Sequence, residues 1–192
     1  MKLISLLEKL EYTCLQGSTD QEVKNVIYDS RKVEEGSLFI CIRGAVVDGH
    51  KFVPDVVAKG AKVLIVEEAV EAPEDVTVIL VKDTRYAMAF ISAAYFGYPA
   101  EKLKTIGITG TKGKTTTTYM VKSILENAGY KVGLIGTIEA IIGDKVIPAK
   151  NTTPESYVIQ EYFHEMAEAG CDCVVMEVSS QGLMPVSYTH LT

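Results

Sequence analysis

The fold turns on the reading of one stretch, Lys104-Thr105-Ile106-Gly107-Ile108-Thr109-Gly110-Thr111-Lys112-Gly113-Lys114-Thr115-Thr116. A β-branched, apolar run enters a turn with glycines at 110 and 113. The turn then opens into a helical pattern over 114–128 that Gly129 stops. Glycines in such a turn let backbone N–H groups converge on phosphate oxygens, and the helix N-terminus behind them adds unsatisfied donors and a favourable dipole. Lys114 has the reach to meet β- and γ-phosphates, and the Thr115 hydroxyl suits a Mg²⁺ ion. The general G-x-x-x-x-G-K-[ST] pattern wants glycine at 108 and finds Ile108, with Gly107 and Gly110 on either side. The loop is therefore a variant, whose candidate ATP-binding residues are Gly110, Thr111, Lys112, Gly113, Lys114, Thr115 and Thr116. A glycine-rich βα turn that binds nothing is the bland alternative, and the ordered run of strand, glycines, lysine, threonines and helix argues against it.

Downstream, 132–135 reads as a strand, and 138–142 with 145–147 flank Gly143-Asp144 as a hairpin. Thr153-Pro154 reads as the N-cap and first turn of a helix to about residue 169, which Gly170 ends. The buried strand 173–178 then reaches Glu177. Parallel strands present their carboxyl ends on one edge, where ligands bind, so Glu177 can share a metal with Thr115. This order, β-loop-α-β, hairpin, α-β, is a mononucleotide-binding architecture.

Upstream, 3–10 and 53–59 read as helices, 26–28, 38–42, 63–66 and 76–81 as strands, and 85–96 as an amphipathic helix ended by Gly97 and Pro99. The whole chain is α/β with largely parallel strands. The helix stop, proline and charges of 97–104 mark a boundary between a first domain, 1–98, and a second, 99–184.

The 192 residues are 47% hydrophobic and 23% charged, enough apolar material for a real core. Nineteen basic against 25 acidic residues give a net charge of −6, which disfavours a nucleic-acid or anionic-membrane surface. No apolar run approaches a membrane span, and the N-terminal MKLISLLEKL lacks the core of a secretory signal. Cys14, Cys41, Cys171 and Cys173 form neither a redox nor a zinc pair, so they read as reduced, structural thiols in a cytoplasmic protein.

Four separated motifs resemble the Mur ligases, the amide ligases of bacterial cell-wall precursor synthesis. Thr109 to Thr116 resembles their shortened T-G-T-x-G-K-T-T loop, with Lys112 where many members carry asparagine. Asp29-Ser30-Arg31, Gly36-Ser37-Leu38-Phe39-Ile40, Arg43-Gly44 and Asp48-Gly49-His50 resemble their N-terminal uridine-nucleotide-binding domain. Asn151-Thr152-Thr153-Pro154 resembles the segment that contacts the muramoyl-dipeptide. Met176-Glu177-Val178-Ser179-Ser180-Gln181-Gly182-Leu183 resembles their E-V-S-S-H-G-L stretch, with Gln181 where histidine is common.

The resemblance covers roughly residues 20–184 and points to the branch that adds the third residue of the stem peptide. It implies a small uridine-nucleotide-binding domain followed by an incomplete P-loop domain with a mostly parallel sheet. ATP would phosphorylate the D-glutamate carboxylate of UDP-N-acetylmuramoyl-L-alanyl-D-glutamate, and the amine of L-lysine or meso-diaminopimelate would displace phosphate. Lys114 and Glu177 would be catalytic, and Thr115 and Glu177 would hold Mg²⁺. Ser30, Asn151, Thr152, Thr153 and Ser179 would hold the UDP-muramoyl-dipeptide. Ser30 also reads as a plain turn residue and Thr153 as a plain cap, whereas Thr152 has no such alternative. His50 and His164 attract no role, and the tyrosines read as packing. Residues 185–192, His190 among them, do not resemble the family's continuation and read as a non-native tail on a truncated frame. An N-terminal fragment of a ligase, inactive alone, is expected. A non-catalytic nucleotide-binding remnant, or another ligase of the superfamily such as a folylpolyglutamate type, remains open.

Overall fold

Val63-Leu64-Ile65-Val66 is apolar at every position, a pattern that demands cover on both faces of a sheet. In the computed structural model, which describes residues 1–44 and 47–180, all four are buried. Gln181, the tail 185–192 and His190 lie outside the described residues. The chain forms two compact units, Met1–Tyr95 and a second that begins at Phe96.

The first unit is a five-stranded sheet of β1 (Thr13–Gln16), β2 (Asn25–Ile27), β3 (Ser37–Ile40), β4 (Val63–Val66) and β5 (Thr77–Leu80). Their order is β1-β5-β4-β3-β2, with β2 to β5 parallel and β1 antiparallel on the edge. Phe39, Leu64, Val66 and Val78 pack with Val53 and Val56 of α2 (Val53–Ala58) on one face. On the other, α3 (Thr84–Tyr95) buries Ala87, Met88 and Ile91 against β4 and against α1 (Leu3–Leu6).

Two readings of this unit change. The helix expected over 3–10 is one turn, Leu3–Leu6, capped at Leu7, and the chain then folds into a separate turn in which the Leu10 N–H bonds to the Leu7 carbonyl. Strand β1 was not legible: its Thr-Cys-Leu-Gln is mostly exposed and carries no apolar alternation. Backbone pairing holds it, helped by the Gln16 amide, which donates to the carbonyls of Pro73 (2.6 Å) and Val76 (2.8 Å).

The second unit contains β6 (Lys104–Ile108), β7 (Val132–Ile135), β8 (Glu139–Ile142), β9 (Lys145–Pro148) and β10 (Cys173–Glu177), in the order β6-β10-β7-β8-β9. The first three are parallel, and β7, β8 and β9 form an antiparallel meander. Helix α4 (Lys114–Asn127) covers one face with Val121 and Leu125 against Val132, Cys173 and Val175. Helix α5 (Ser156–Glu168) covers the other with Ile159, Phe163 and Met166 against Ile135, Val174 and Met176. The crossover from β6 through α4 to β7 skips one position, and β10 fills it. Three carboxyl ends thus lie side by side: the glycine loop after β6, Glu177 on β10, and Gly136-Thr137 after β7. Such a point, where the connections diverge, is where open α/β sheets bind ligands.

Helix α5 begins at Ser156 rather than at Thr153, so Thr153 is not its cap. The Thr153 hydroxyl is engaged elsewhere, donating to the Glu177 carbonyl (3.1 Å) and accepting from the Ser179 N–H (3.2 Å).

Candidate functional site

The loop between β6 and α4 needs glycine at two places, Gly110 at φ +151° and Gly113 at φ +78°, conformations that L side chains rarely adopt. Gly113 is the N-cap of α4 and offers no side chain, so no side-chain oxygen neutralises the first turn. That leaves amide donors and the positive end of a 14-residue helix facing the loop. Gly110, Thr111, Lys112, Gly113 and Thr116 are exposed, and Lys114 and Thr115 are half-buried. The Lys114 ammonium folds back over the loop and donates to the Gly110 carbonyl at 2.8 Å.

Glu177 is 1% exposed at the end of β10, the middle one of the three parallel strands. Its Oε1 accepts from the Thr137 N–H (2.9 Å), and its Oε2 accepts from the hydroxyls of Thr137 (3.0 Å) and Thr115 (3.1 Å). Among the described residues these side-chain partners are all neutral, and none is a lysine or arginine. A buried carboxylate without a counter-charge is costly, by several kcal/mol per ion even after relaxation. The donor set, a hydroxyl from the helix start and a carboxylate from the next strand, suits a hard divalent cation. Gly136 makes room for the carboxylate itself: a Cβ there would stand 2.7 Å from Glu177 Oε1.

Thr152 and Thr153 come to the same edge, Thr152 with its Oγ1 3.2 Å from that of Thr137, and Thr153 within 3.2 Å of Ser179 Oγ. Asn151 is exposed. Ser30 belongs to the first unit, in a 3-10 turn after β2, where its carbonyl accepts from Lys59 Nζ at 2.8 Å. The carboxylate of Asp29 caps that turn and receives a two-pronged bond from Arg31 (2.9 and 2.8 Å). The guanidinium and the Arg31 N–H hold Asp29 down to about 2.

Three residues escaped the sequence reading. Thr137 has a local signal, a Gly-Thr pair straight after a parallel strand, but its partner lies 40 residues away. Tyr119 is not mere packing: its hydroxyl donates to Glu139 Oε1 at 2.8 Å, and burial together with that carboxylate pushes the phenol up to about 12. His50, 8% exposed, is a structural hub. Its Nε2 accepts from the Glu67 N–H (3.0 Å), which assigns the proton to Nδ1, and Nδ1 donates to Asp48 (2.6 Å). Asp48, His50 and Glu68 offer ligand atoms within 4.8 Å of one another. Both His50 nitrogens are already engaged, and the Arg43 guanidinium lies against Asp48, Glu67 and Glu68, so this cluster is a cross-brace and not a metal centre.

Cys41, Cys171 and Cys173 are buried and Cys14 is exposed, all as free thiols, with burial pushing Cys41 up to about 12. Among the described residues no helix is long and apolar enough to cross a membrane.

Two α/β units, the second with a glycine-lysine-threonine loop between a parallel strand and a helix, define the class: the chain belongs to the Mur ligase family. Residues 22–96 match the family's catalytic domain and 108–190 the Mur ligase middle domain. Within the family, 183 residues, 95% of the chain, are 53% identical to the UDP-N-acetylmuramoyl-L-alanyl-D-glutamate--2,6-diaminopimelate ligase of Clostridium perfringens (strain 13 / Type A). They span 38% of that relative's length. A solved structure of a ligase of the same name superposes with a TM-score of 0.75 at 22% identity, over 97% of this chain and 37% of that one. The UDP-N-acetylmuramoylalanyl-D-glutamyl-2,6-diaminopimelate--D-alanyl-D-alanyl ligase of Acinetobacter baumannii gives 0.62 at 26% identity, over 93% of this chain and 36% of that one.

Proposed function

We propose that the chain supplies the nucleotide-binding edge, and part of the acceptor site, of an ATP-dependent ligase of cell-wall precursor synthesis. The observation that carries this reading is the meeting of Thr115, Glu177, Thr137, Thr152 and Thr153 at three neighbouring strand ends. The acceptor is UDP-N-acetylmuramoyl-L-alanyl-D-glutamate, with its uridine part at Ser30 and its peptide at Asn151, Thr152, Thr153 and Ser179. The name of the 53% identical relative supports 2,6-diaminopimelate over L-lysine as the added amino acid, and the cytoplasm is the proposed compartment.

Gly110 to Thr116 wrap the ATP phosphates with backbone N–H groups. Lys114 leaves the Gly110 carbonyl for the β- and γ-phosphates, exchanging a neutral acceptor for anionic ones. Mg²⁺, held by Thr115 and Glu177, supplies further charge neutralisation when bound. Thr152, Thr153 and Ser179 orient the acceptor so that its D-glutamate carboxylate oxygen attacks the γ-phosphorus as ADP leaves. The amine of the diamino acid then attacks the acyl carbon, and inorganic phosphate departs with the bonding pair and takes up the proton that the nitrogen sheds. Positioning and charge neutralisation dominate such a transfer, and these are the roles the residues here can fill.

Calorimetric titration of the 192-residue chain with ATP, with and without Mg²⁺, tests the reading. Mg²⁺-dependent binding that Lys114→Met abolishes is expected, without turnover by this chain alone. Absence of ATP binding in Mg²⁺ overturns it. Binding of ATP and of the UDP-muramoyl-dipeptide, but no amide formation by any longer form that carries these residues, would favour a non-catalytic nucleotide binder.

A further inference from the structure

We infer that Thr137 is a positioning residue that aims the Glu177 carboxylate at the metal and couples it to the acceptor segment. This rests on the reading of Glu177 as the metal-side carboxylate. Thr137 makes two of the three hydrogen bonds to that carboxylate, one to each oxygen, from its N–H and its hydroxyl. Together they fix the carboxylate's rotation about its last bond, which a single donor such as Thr115 cannot do.

The Thr137 hydroxyl has one proton and two neighbours, Glu177 Oε2 at 3.0 Å and Thr152 Oγ1 at 3.2 Å. A carboxylate can only accept, so the Thr137 proton points to Glu177 and the Thr152 hydroxyl must donate to Thr137. The chain of donors therefore runs one way, from Thr152 through Thr137 to Glu177. Each link polarises the next. A ligand that draws the Thr152 proton toward itself weakens the acceptor side of Thr137 and so alters how firmly Glu177 is held. The acceptor segment and the metal carboxylate are joined by one side chain.

Val and Ser substitutions separate these claims. Thr137→Val keeps the shape and the backbone N–H but removes the hydroxyl, while Thr137→Ser restores it. Outer-shell partners of metal ligands are worth about 10–100-fold in metal affinity, and the N–H bond survives in the valine variant. The Mg²⁺ concentration for half-maximal ATP binding by the 192-residue chain is therefore expected to rise about tenfold in Thr137→Val, with metal-free ATP binding unchanged. Thr137→Ser should return it to the wild-type value. Electron paramagnetic resonance of Mn²⁺ titrated into the chain should show the same order without reference to any reaction. Thr152→Val should produce a smaller shift in the same direction and none on top of Thr137→Val, since both remove one coupled chain.

A valine variant with the wild-type Mg²⁺ requirement, or a serine variant that fails to restore it, overturns the inference. Thr137→Ala repeats the test should the valine variant fold poorly by circular dichroism, and the same two outcomes decide it. If the wild-type chain binds ATP equally with and without Mg²⁺, the metal reading of Glu177 fails instead, whatever the Thr137 variants do.

Discussion

The carboxyl ends of the parallel strands treat their acids in opposite ways in the two units. In the first unit Glu67 follows β4, and its Oε1 accepts from the Thr84 N–H and hydroxyl at 2.8 Å each. Arg43 stands beside Glu67, Glu68 and Asp48, at 3.6, 2.5 and 3.3 Å. Each of these three acids has its charge answered by that arginine. In the second unit Glu177 has three neutral donors and no internal cation among the described residues. A carboxylate answered by its own arginine is part of the scaffold, whereas one buried without a counter-charge is stable only if a cation comes from outside or the cost is met by the rest of the fold. The same residue type at the same place in the same kind of sheet is therefore a brace in one unit and a ligand candidate in the other.

Glu177→Gln is the severest test of that contrast. It keeps size and removes charge, so Mg²⁺-dependent ATP binding should fall by at least the order of 100-fold, the upper end for partners of metal ligands. Thermal melting of the metal-free chain should stay level or rise, because a buried uncompensated charge is gone. A metal-free melting point lowered as far as that of a core truncation would mean that Glu177 is scaffold too.

His50→Ala should do the reverse. It leaves the Glu67 N–H without its acceptor and takes the ring donor from Asp48, at a cost of about 1–3 kcal/mol by urea unfolding. Calorimetric ATP binding should be unchanged. Gly136→Ala comes next: its methyl would press on Glu177 Oε1, the movable end of a side chain. The Mg²⁺ requirement should rise by about tenfold, comparable to losing an outer-shell bond, while the melting point moves little.

The smallest effect is on pH. Asp29 titrates at about 2 when folded, below its ordinary 3.8, chiefly through Arg31, and Asp48 is lowered by the N–H and ring of His50. Groups lowered on folding favour the fold above their ordinary value and lose that contribution as pH falls toward the folded one. Resistance to urea should thus hold above pH 4 and decline toward pH 2, less steeply in Arg31→Ala. An Arg31→Ala chain with an unaltered acid limb would remove the Asp29 pair from the stabilising set.

The strands with continuous apolar runs, β4 and β7, begin and end where their residues predict, because a fully buried strand is written in its own composition. The glycine loop was equally legible, since Gly110 and Gly113 mark backbone conformations that few other residues tolerate. Strand β1 was not, because an exposed edge strand held by backbone pairing needs no pattern. A threonine before a proline satisfies the local rule for a cap, and only the nearness of Glu177 and Ser179 shows Thr153 engaged otherwise.

By itself, then, the sequence determined what is local: the alternation of strands and helices, the glycines that shape the loop, and the lysine and threonines that start α4. The tertiary structure alone decided that β10 lies between β6 and β7, and with it that Thr115 and Thr137, 62 and 40 residues from Glu177, share its carboxylate. The reason is physical. Turn conformation and strand burial depend on a residue and its near neighbours, whereas a hydrogen bond across 40 or 62 residues exists only once strand order has brought both ends to one edge.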